Sequence, residues 1–432
     1  MIQFCSIIFT IIMTSLYFFP IDIVTGVNTK MIMAGFGLVV FMVQLAQRKK
    51  YLEKDYLFLA LFAGLVSLSG FFSMWYNNTN DTTYATYLVS MLVWLGGAYF
   101  VVELIKFVHG KASAVLVANY LIAVCALQSV IALGVEMNPM VKSLVDSVYS
   151  GGAYYEEHNR MYGIGASLDV AGTRFSAVLC MIVCIGIAYG KVLKKEWLIF
   201  YGLSFMIIAT IGNMISRTTT VGVALSLIYL LSVVLNMDRK EIRKSKTRFW
   251  KWMIVMIALS VPLIVYFYRY NDVIYKNLRF AFEGFFSLVE KGEWDVHSND
   301  MLQSMVVFPE SLKTWIIGDG YFDNPLKSDP YYTGKMGTAY YMGTDIGYLR
   351  FIFYFGLVGL LLFMTFFCYA AKVCIKHLES LKIMFLLILV VNFIVWFKVA
   401  TDIFLVFALF LCISKEENEE YNTSILLEKA DS

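Results

Sequence analysis

The sequence predicts an all-α integral membrane protein with about twelve transmembrane helices, or eleven on an alternative count. Hydrophobic residues make up 59% of its 432 residues, a share that no water-soluble domain of this length tolerates. Apolar runs of about 18 or more residues recur along the chain, which is the length that a helix needs to cross a bilayer. Charged residues collect in the stretches between these runs.

The apolar runs define the predicted spans in chain order. They cover residues 3–23, 28–46, 56–75, 86–108, 113–134, 168–190, 197–214, 219–236, 252–269, 346–371, 381–397 and 401–414. The last two are short, and one long helix broken around Lys398 and Asp402 gives the count of eleven. The first run lacks the basic segment and the small-residue cleavage site of a signal peptide, so it is predicted to be retained. The absence of a linker-like stretch favours one polytopic domain over residues 1–432.

Lysine and arginine in the short loops predict the orientation of the chain. The loop after the second span holds four of them in QRKKYLEKD, and the loop after the eighth holds seven in DRKEIRKSKTRFWK. Both loops fall on one side of a twelve-span chain, and the positive-inside rule assigns that side to the cytoplasm. Both termini, with the acidic tail 415–432, are then cytoplasmic. Residues 135–167, the Ser216-Arg217 turn and residues 270–345 face outward.

The longest polar segment is the predicted extracytoplasmic loop 270–345. A loop of this length between membrane spans is usually functional. Apolar residues at helical spacing predict a short amphipathic helix on the membrane surface; they are Leu278, Phe282, Phe285, Phe286 and Val289. Pro309 opens a second short helical stretch, which is predicted to stop at Gly318.

Three arginines on the predicted outer side, Arg160, Arg217 and Arg350, are candidate anion-binding residues. An arginine at membrane depth costs roughly 2.5–3.5 kcal/mol unless it faces water or finds a partner. One such residue is explained by snorkelling or by an ion pair with an aspartate. Three together, on the side with fewer basic residues, favour a shared anionic ligand. The planar guanidinium suits phosphate oxygens, so the sequence predicts a phosphate or diphosphate at the outer membrane boundary.

Two histidines and one aspartate are candidates for a general base. Imidazole titrates near neutral pH, which favours His297 or His158 on the outer side, and acidic neighbours surround His297. Asp345 is the rival. It stands at the mouth of the tenth span beside Gly347, where a ligand can approach closely.

Tyrosines crowd the predicted outer loop. Tyr321, Tyr341 and Tyr348 are candidate glycan-binding residues because sugar rings stack on aromatic faces; anchoring at the membrane–water interface is an equal alternative, also for Tyr331 and Tyr332. The seven cysteines show no metal-ligand spacing, and we predict neither a metal nor a cofactor. The net charge of +3 is too small to indicate a polyanion such as nucleic acid as a partner. Membrane lipid is the partner that the apolar runs predict.

Several short motifs occur in an order that one known family shares. They are Arg-x-x-Gly (Arg160 to Gly163), a Ser-Arg turn (Ser216-Arg217), Ile-Gly-x-Gly (Ile317 to Gly320), Asp-x-Gly-Tyr (Asp345 to Tyr348) and two glycines in the next helix (Gly356 and Gly359). Over about residues 155–365, the chain thereby resembles the bacterial O-antigen polymerase and O-antigen ligase superfamily. It departs from the family pattern early in the large loop, where residues 297–303 hold no arginine. Arg279 is the candidate substitute.

The resemblance implies a membrane-embedded glycosyltransferase in the bacterial cytoplasmic membrane. Such an enzyme polymerises O-antigen, capsule or exopolysaccharide repeat units carried on undecaprenyl diphosphate at the outer leaflet. Its arginines would hold the diphosphate leaving group, and a base would activate an acceptor hydroxyl for attack with inversion, without a metal. The resemblance also implies a flippase and a chain-length regulator of the same pathway as partners.

Two alternative functions stay open. A ligase of the same superfamily would transfer finished glycan to another acceptor. A protein of another class, a flippase or transporter, would move the lipid-linked oligosaccharide across the membrane. The apolar middles of most predicted spans, with polar groups gathered at one rim, favour an enzyme over an alternating-access carrier.

Overall fold

The computed structural model describes residues 2–48, 53–157, 160–190, 193–235, 246–324, 340–416 and 418–419, which are mostly helical. The helices are α1 (Ile2–Phe18), α2 (Thr29–Ala46), α3 (Lys54–Asn77), α4 (Tyr87–His109), α5 (Ala114–Met137), α6 (Pro139–Val148), α7 (Gly152–Glu157), α8 (Leu168–Tyr189), α9 (Lys195–Ile215), α10 (Thr219–Leu235), α11 (Lys246–Tyr270), α12 (Asp272–Ala281), α13 (Glu283–Lys291), α14 (His297–Ser304), α15 (Leu312–Ile317), α16 (Gly347–His377), α17 (Lys382–Val395) and α18 (Phe404–Leu411). Two short strands, β1 (Asp22–Val24) and β2 (Val27–Asn28), pair antiparallel between α1 and α2.

Eight helices of the described chain are long and apolar enough to cross a membrane, namely α2, α3, α4, α5, α8, α9, α11 and α16. Helices α1 and α10 are apolar but shorter. A bundle of such helices satisfies its backbone polar groups internally, as a bilayer requires. The protein is therefore an all-α, multi-pass membrane protein. Each predicted apolar run overlaps one of these ten helices, α17 or α18.

Several element ends differ from the predicted ones. Helix α1 stops at Phe18 rather than continuing to residue 23, because Pro20 cannot donate a helical hydrogen bond and the chain turns into the hairpin. Helix α18 has eight residues and is buried along its length. The chain is not helical between α17 and α18, the stretch that holds Lys398 and Asp402.

The predicted amphipathic helix is two helices rather than one. Helices α12 and α13 meet at Phe282, whose backbone leaves the helical conformation. Leu278 is buried, whereas Phe285 and Val289 are exposed. Because the two helices bend around Phe282, the predicted apolar positions do not form one continuous face. The second predicted stretch is the short helix α15, which ends at Gly318.

One face of the bundle gathers the turns that concern function. We call it the loop face; it comprises residues 19–28, 78–86, 138–167, 216–218, 271–346 and 396–403 in so far as they are described. Long-range hydrogen bonds join these segments: Thr79 Oγ1 donates to the Gly320 carbonyl at 2.8 Å, and Tyr348 N donates to the Trp396 carbonyl at 3.1 Å. Arg217 Nη1 donates to Ser298 Oγ at 2.9 Å, and Asn277 Nδ2 donates to Glu136 Oε1 at 3.4 Å. The three segments that were predicted to face outward therefore lie on one face in so far as they are described.

An aromatic cluster packs beneath the loop face. The Trp396 ring lies 4.8 Å from Phe351 and 5.3 Å from Phe363, measured between centroids. Tyr84 contacts both phenylalanines, at 5.5 and 5.4 Å. Aromatic pairs at these separations add stability beyond the area that they bury. The cluster fixes the start of α16, and with it Asp345 and Arg350, against α4 and the α17–α18 loop.

Helix α16 is interrupted near its start, and the Ile-Gly-x-Gly stretch fills the interruption. At Gly356 the backbone takes φ 68° and ψ −174°, a conformation essentially restricted to glycine. Opposite this break, Asp319 N donates to the Phe353 carbonyl at 2.6 Å, and Gly320 N donates to the Tyr354 carbonyl at 3.1 Å. Irregular backbone at membrane depth is tolerated where the protein itself satisfies it, as here.

Candidate functional site

Arg160 and Arg217 meet at a single aromatic ring on the loop face. The Arg217 guanidinium carbon lies 4.2 Å from the Phe280 ring centroid, and the Arg160 guanidinium carbon lies 4.5 Å from it. Phe280 belongs to α12, so the large loop brings the two arginines together. The glycine of Arg-x-x-Gly helps to position Arg160, because a Cβ at Gly163 would lie 2.5 Å from the Gln128 Oε1 atom.

The two arginines differ in their partners. Arg217 Nη2 lies 2.8 Å from Glu283 Oε2, and its Nη1 donates to Ser298 Oγ at 2.9 Å. Burial lowers the pKa of Arg217 from its ordinary value, and the neighbouring charge of Arg160 adds to this, whereas Glu283 opposes it. Within the described residues, the Arg160 guanidinium makes no ion pair or hydrogen bond. Among the described residues, Glu283 therefore pairs with Arg217, and no carboxylate pairs with the adjacent Arg160.

A second charged group, Asp169 with Lys398, adjoins this pair. Asp169 lies in the first turn of α8, and its Oδ1 accepts hydrogen bonds from Ser216 Oγ at 2.8 Å, Lys398 Nζ at 2.8 Å and the Thr218 hydroxyl. These bonds tie α8, the Ser-Arg turn and the α17–α18 loop together. They also hold the Lys398 ammonium group next to Arg217, beside the cavity that both line.

Asp345 and Arg350 lie at the start of α16. Arg350 is 6% exposed; its Nη2 lies 2.6 Å from Asp323 Oδ1 and its Nη1 lies 3.4 Å from Asp345 Oδ1. Burial raises the pKa of Asp345 to about 6, although Arg350 opposes the shift. Asp169 and Lys398 are also among the charges that act on Asp345. The charge of Lys398 thus acts on Asp345, whereas Arg350 is already balanced by two carboxylates.

A cavity of about 230 Å³ opens beside Arg217 and Lys398. Apolar side chains of α10, α13 and α17 form much of its wall, including Val221, Phe285 and Val395. Its polar lining includes the two cations, Glu283 and Ser298. An apolar-walled cavity that also has two cations in its lining suits a ligand with an anionic head and a hydrocarbon tail.

The other predicted residues lie around this centre. His297 is the exposed first residue of α14, adjacent to Ser298. Arg279 binds Glu290 through two contacts of 2.6 Å, and it lines a cavity of about 320 Å³ together with Arg217. His158, Tyr331 and Tyr332 lie outside the described residues.

The three candidate tyrosines have different surroundings. The rings of Tyr321 and Tyr341 stack at 5.2 Å, and Tyr341 Oη donates to Asp319 Oδ2 at 3.2 Å. Tyr348 packs against the Trp396 ring at 5.7 Å, and its hydroxyl donates to the Phe393 carbonyl at 3.0 Å. The stacked pair lies in the loop, whereas Tyr348 contributes to the packing of the aromatic cluster.

Sequence reasoning missed several residues of this site. Phe280 and Glu283 carry no motif, and Lys398 was interpreted only as a break in an apolar run. The aspartate that Lys398 binds is Asp169, at 2.8 Å. A usable signal existed for Lys398, because a lysine between two short apolar runs needs a partner at membrane depth.

One group of described residues has the composition of a metal site, and it lies away from the loop face. Ligand atoms of Glu53, Asp55 and His377 lie within 4.8 Å of one another at the opposite end of the bundle. Lys376 Nζ already lies 2.7 Å from Asp55 Oδ2 and supplies positive charge there. This group is therefore explained as an ion-pair network between α3 and α16.

Comparison of the chain with known protein families, with curated proteins and with solved structures finds no match. The function is therefore inferred from the loop face itself.

Proposed function

We propose that the protein is a membrane-embedded glycosyltransferase, a polysaccharide polymerase that joins repeat units carried on undecaprenyl diphosphate. The observation that carries this proposal is the placement of Arg160 and Arg217 around Phe280, beside an apolar-walled cavity. The motif order described above supports the same family.

The charge balance of the site favours a phosphate-containing ligand. Buried or half-buried cations are normally paired, yet among the described residues Glu283 is the one carboxylate that forms an ion pair with either arginine, and it binds Arg217. A diphosphate supplies the missing negative charge and accepts bidentate hydrogen bonds from guanidinium groups. The apolar walls of the 230 Å³ cavity suit the isoprenoid chain next to that headgroup. A nucleotide sugar has no hydrocarbon tail to fill them.

The proposed reaction assigns each group a role. The hydroxyl oxygen of the acceptor sugar attacks the anomeric carbon of the donor, and the bond from that carbon to the diphosphate oxygen breaks. The electron pair leaves with the diphosphate, whose charge Arg160, Arg217 and Lys398 neutralise. Asp345 takes the hydroxyl proton. Attack from the face opposite the leaving group inverts the anomeric configuration. Tyr321 and Tyr341 offer a stacking surface for the sugar rings.

Asp345 is the base favoured over His297, and its pKa makes a testable pH dependence. Because burial raises that pKa to about 6, Asp345 is protonated below this pH and cannot accept a proton. Activity is expected to rise with pH through about 6 and then to level off. The same shift makes the folded state less stable as pH rises from about 4 to 6. Initial rates of polymer formation between pH 5 and 8 measure the profile.

Two variants separate the candidate bases. Asp345→Asn is expected to lower the rate about 10²–10⁴-fold and to abolish the inflection near pH 6. His297→Ala, at an exposed position, is expected to keep both the rate and the profile. Loss of the inflection in His297→Ala, with the profile of Asp345→Asn unchanged, would transfer the role to His297.

We further propose that the loop face, with the large loop 270–345, lies outside the cytoplasmic membrane of a bacterium and that both termini are cytoplasmic. Under this orientation, His297→Cys is expected to react with a membrane-impermeant thiol reagent added to intact cells. The parent chain, whose exposed cysteines are Cys5 and Cys368, gives the background. Labelling of position 297 only after lysis would reverse the orientation.

A reconstitution experiment tests the function itself. The purified protein in lipid nanodiscs is given a polyprenyl-diphosphate-linked repeat unit, and the products are resolved by length. A ladder of longer lipid-linked chains with release of polyprenyl diphosphate is expected. Transfer only to a different acceptor would identify a ligase. In proteoliposomes, movement of the substrate between leaflets without a new bond would identify a flippase and reject the enzyme.

A further inference from the structure

A second pair of cations lies deeper in the bundle, apart from Arg160 and Arg217. Lys30 is in the first turn of α2 and Arg174 is in the second turn of α8. The Lys30 Nζ atom lies 4.0 Å from the Trp94 ring centroid, and the Arg174 guanidinium carbon lies 6.0 Å from the same ring. Trp94 is the eighth residue of α4, about 10 Å along that helix from its first residue.

The carboxylates near this pair are not bound to it. Asp402 is an acidic group that acts on both cations, but its Oδ2 accepts from Tyr87 Oη at 2.9 Å and its Oδ1 accepts from Phe404 N at 2.7 Å. Asp22 acts on Lys30 only from a distance. Among the described residues, no carboxylate oxygen lies within ion-pairing distance of Lys30 or Arg174.

Arg174 is incompletely satisfied although it is deeply buried. The residue is 7% exposed, and its Nη1 donates to the Phe18 carbonyl at the end of α1. Its Nε is buried without a hydrogen-bond partner in the described chain. The end of α1 supplies only about half a negative charge, and the Trp94 ring supplies none. The half-buried Lys30 and the buried Arg174 therefore lie against one ring, and no described carboxylate is bound to either of them.

We propose that Lys30 and Arg174 form a second anion-binding site for a group of the phosphate class. An oxyanion between the ammonium and guanidinium groups would balance their charge and accept the free Arg174 N–H. The two sites have no residue in common: Arg160 and Arg217 flank the Phe280 ring, whereas Lys30 and Arg174 lie near the Trp94 ring.

The second site also fits the chemistry of chain growth. A polymerase joins two lipid-linked chains, so two diphosphate headgroups must lie near one another on the loop face. Lys30 and Arg174 then hold one headgroup while Arg160 and Arg217 hold the other. This assignment rests on the proposed function, whereas phosphate-class binding at Lys30 and Arg174 does not.

Binding stoichiometry tests the site. Full-length protein in nanodiscs of neutral lipid is titrated calorimetrically with farnesyl diphosphate and, separately, with inorganic pyrophosphate. The parent is expected to bind two equivalents of farnesyl diphosphate. Lys30→Gln and Arg160→Ala are each expected to bind one, and the double variant none. At least tenfold tighter binding of farnesyl diphosphate than of pyrophosphate at the Lys30 site assigns it to a lipid headgroup; equal binding assigns it to free phosphate.

Two further variants keep the outcome interpretable. Lys106→Gln removes a lysine from the other end of α4 and should bind as the parent does. Arg174→Lys keeps the charge and should retain the second site with weaker binding, which separates charge from folding. One equivalent in the parent that Arg160→Ala abolishes and Lys30→Gln leaves intact would overturn the second site and spare the proposed function. If the parent bound one equivalent and only Lys30→Gln abolished it, the second site would be supported and the role proposed for Arg160 would be overturned.

Discussion

Arg160→Ala is expected to lower polymer formation by about 10²–10³-fold while the protein stays folded. Arg160 makes no ion pair or hydrogen bond through its guanidinium within the described residues, so its removal leaves none of these residues without a partner. The expected loss arises because the charge of the departing diphosphate loses one of its cations in the transition state. Rates of chain extension with a polyprenyl-diphosphate-linked repeat unit measure it, and the thermal unfolding midpoint in nanodiscs checks folding.

Arg217→Ala is expected to lower polymer formation at least as much as Arg160→Ala does. It removes a cation and also leaves Glu283 and Ser298 without their partner, so part of its effect is expected to come from loosening of α13 and α14. Lys291→Ala is the matched control, because it removes an exposed positive charge from the same face. Normal chain extension in both arginine variants would contradict the proposal that Arg160 and Arg217 bind the diphosphate.

The arginine pair illustrates what the sequence can predict. A guanidinium beside apolar runs is expensive, so Arg160 and Arg217 stand out without any structural knowledge. Alternation of the runs also places both residues on one side of the membrane. What joins them is Phe280, an ordinary aromatic residue whose contact with Arg160 spans 120 positions of the chain. No local pattern marks such a residue.

Arg350 and Lys398 show what the sequence cannot predict. By composition and position, Arg350 resembles the other two arginines, but Asp323 and Asp345 neutralise it. Lys398 looked like an interruption, yet it lines the cavity with Arg217. Whether a charge is free or paired depends on side chains distant in sequence, which periodicity and hydropathy do not report. The helices were predictable because hydropathy is local.

The sequence also did not predict the interruption of α16, although Gly356 and Gly359 belong to the motif described above. Gly356→Ala is expected to prevent stable folding, with a loss of more than about 3 kcal/mol, because its conformation alone costs roughly 1–3 kcal/mol for any other residue. A Cβ at Gly356 would also lie 2.1 Å from the Ile316 carbonyl oxygen. That atom is backbone and cannot swing aside. The yield of monodisperse protein in the membrane fraction and its unfolding midpoint measure the effect.

Gly318→Ala tests the same contact from the opposite segment. Gly318 has φ 78° and ψ −174°, and a Cβ there would lie 2.4 Å from the Tyr354 carbonyl oxygen, so the same failure is expected. Gly64→Ala is the control, since it lies within α3 with nothing within 4 Å of an added Cβ. Alanine is about 1 kcal/mol better than glycine in a helix, so Gly64→Ala is expected to be neutral or stabilising. If Gly356→Ala and Gly318→Ala accumulated and unfolded like Gly64→Ala, the loop would not be inserted into α16. Asp345 and Arg350 would then lack the support that holds them at the site.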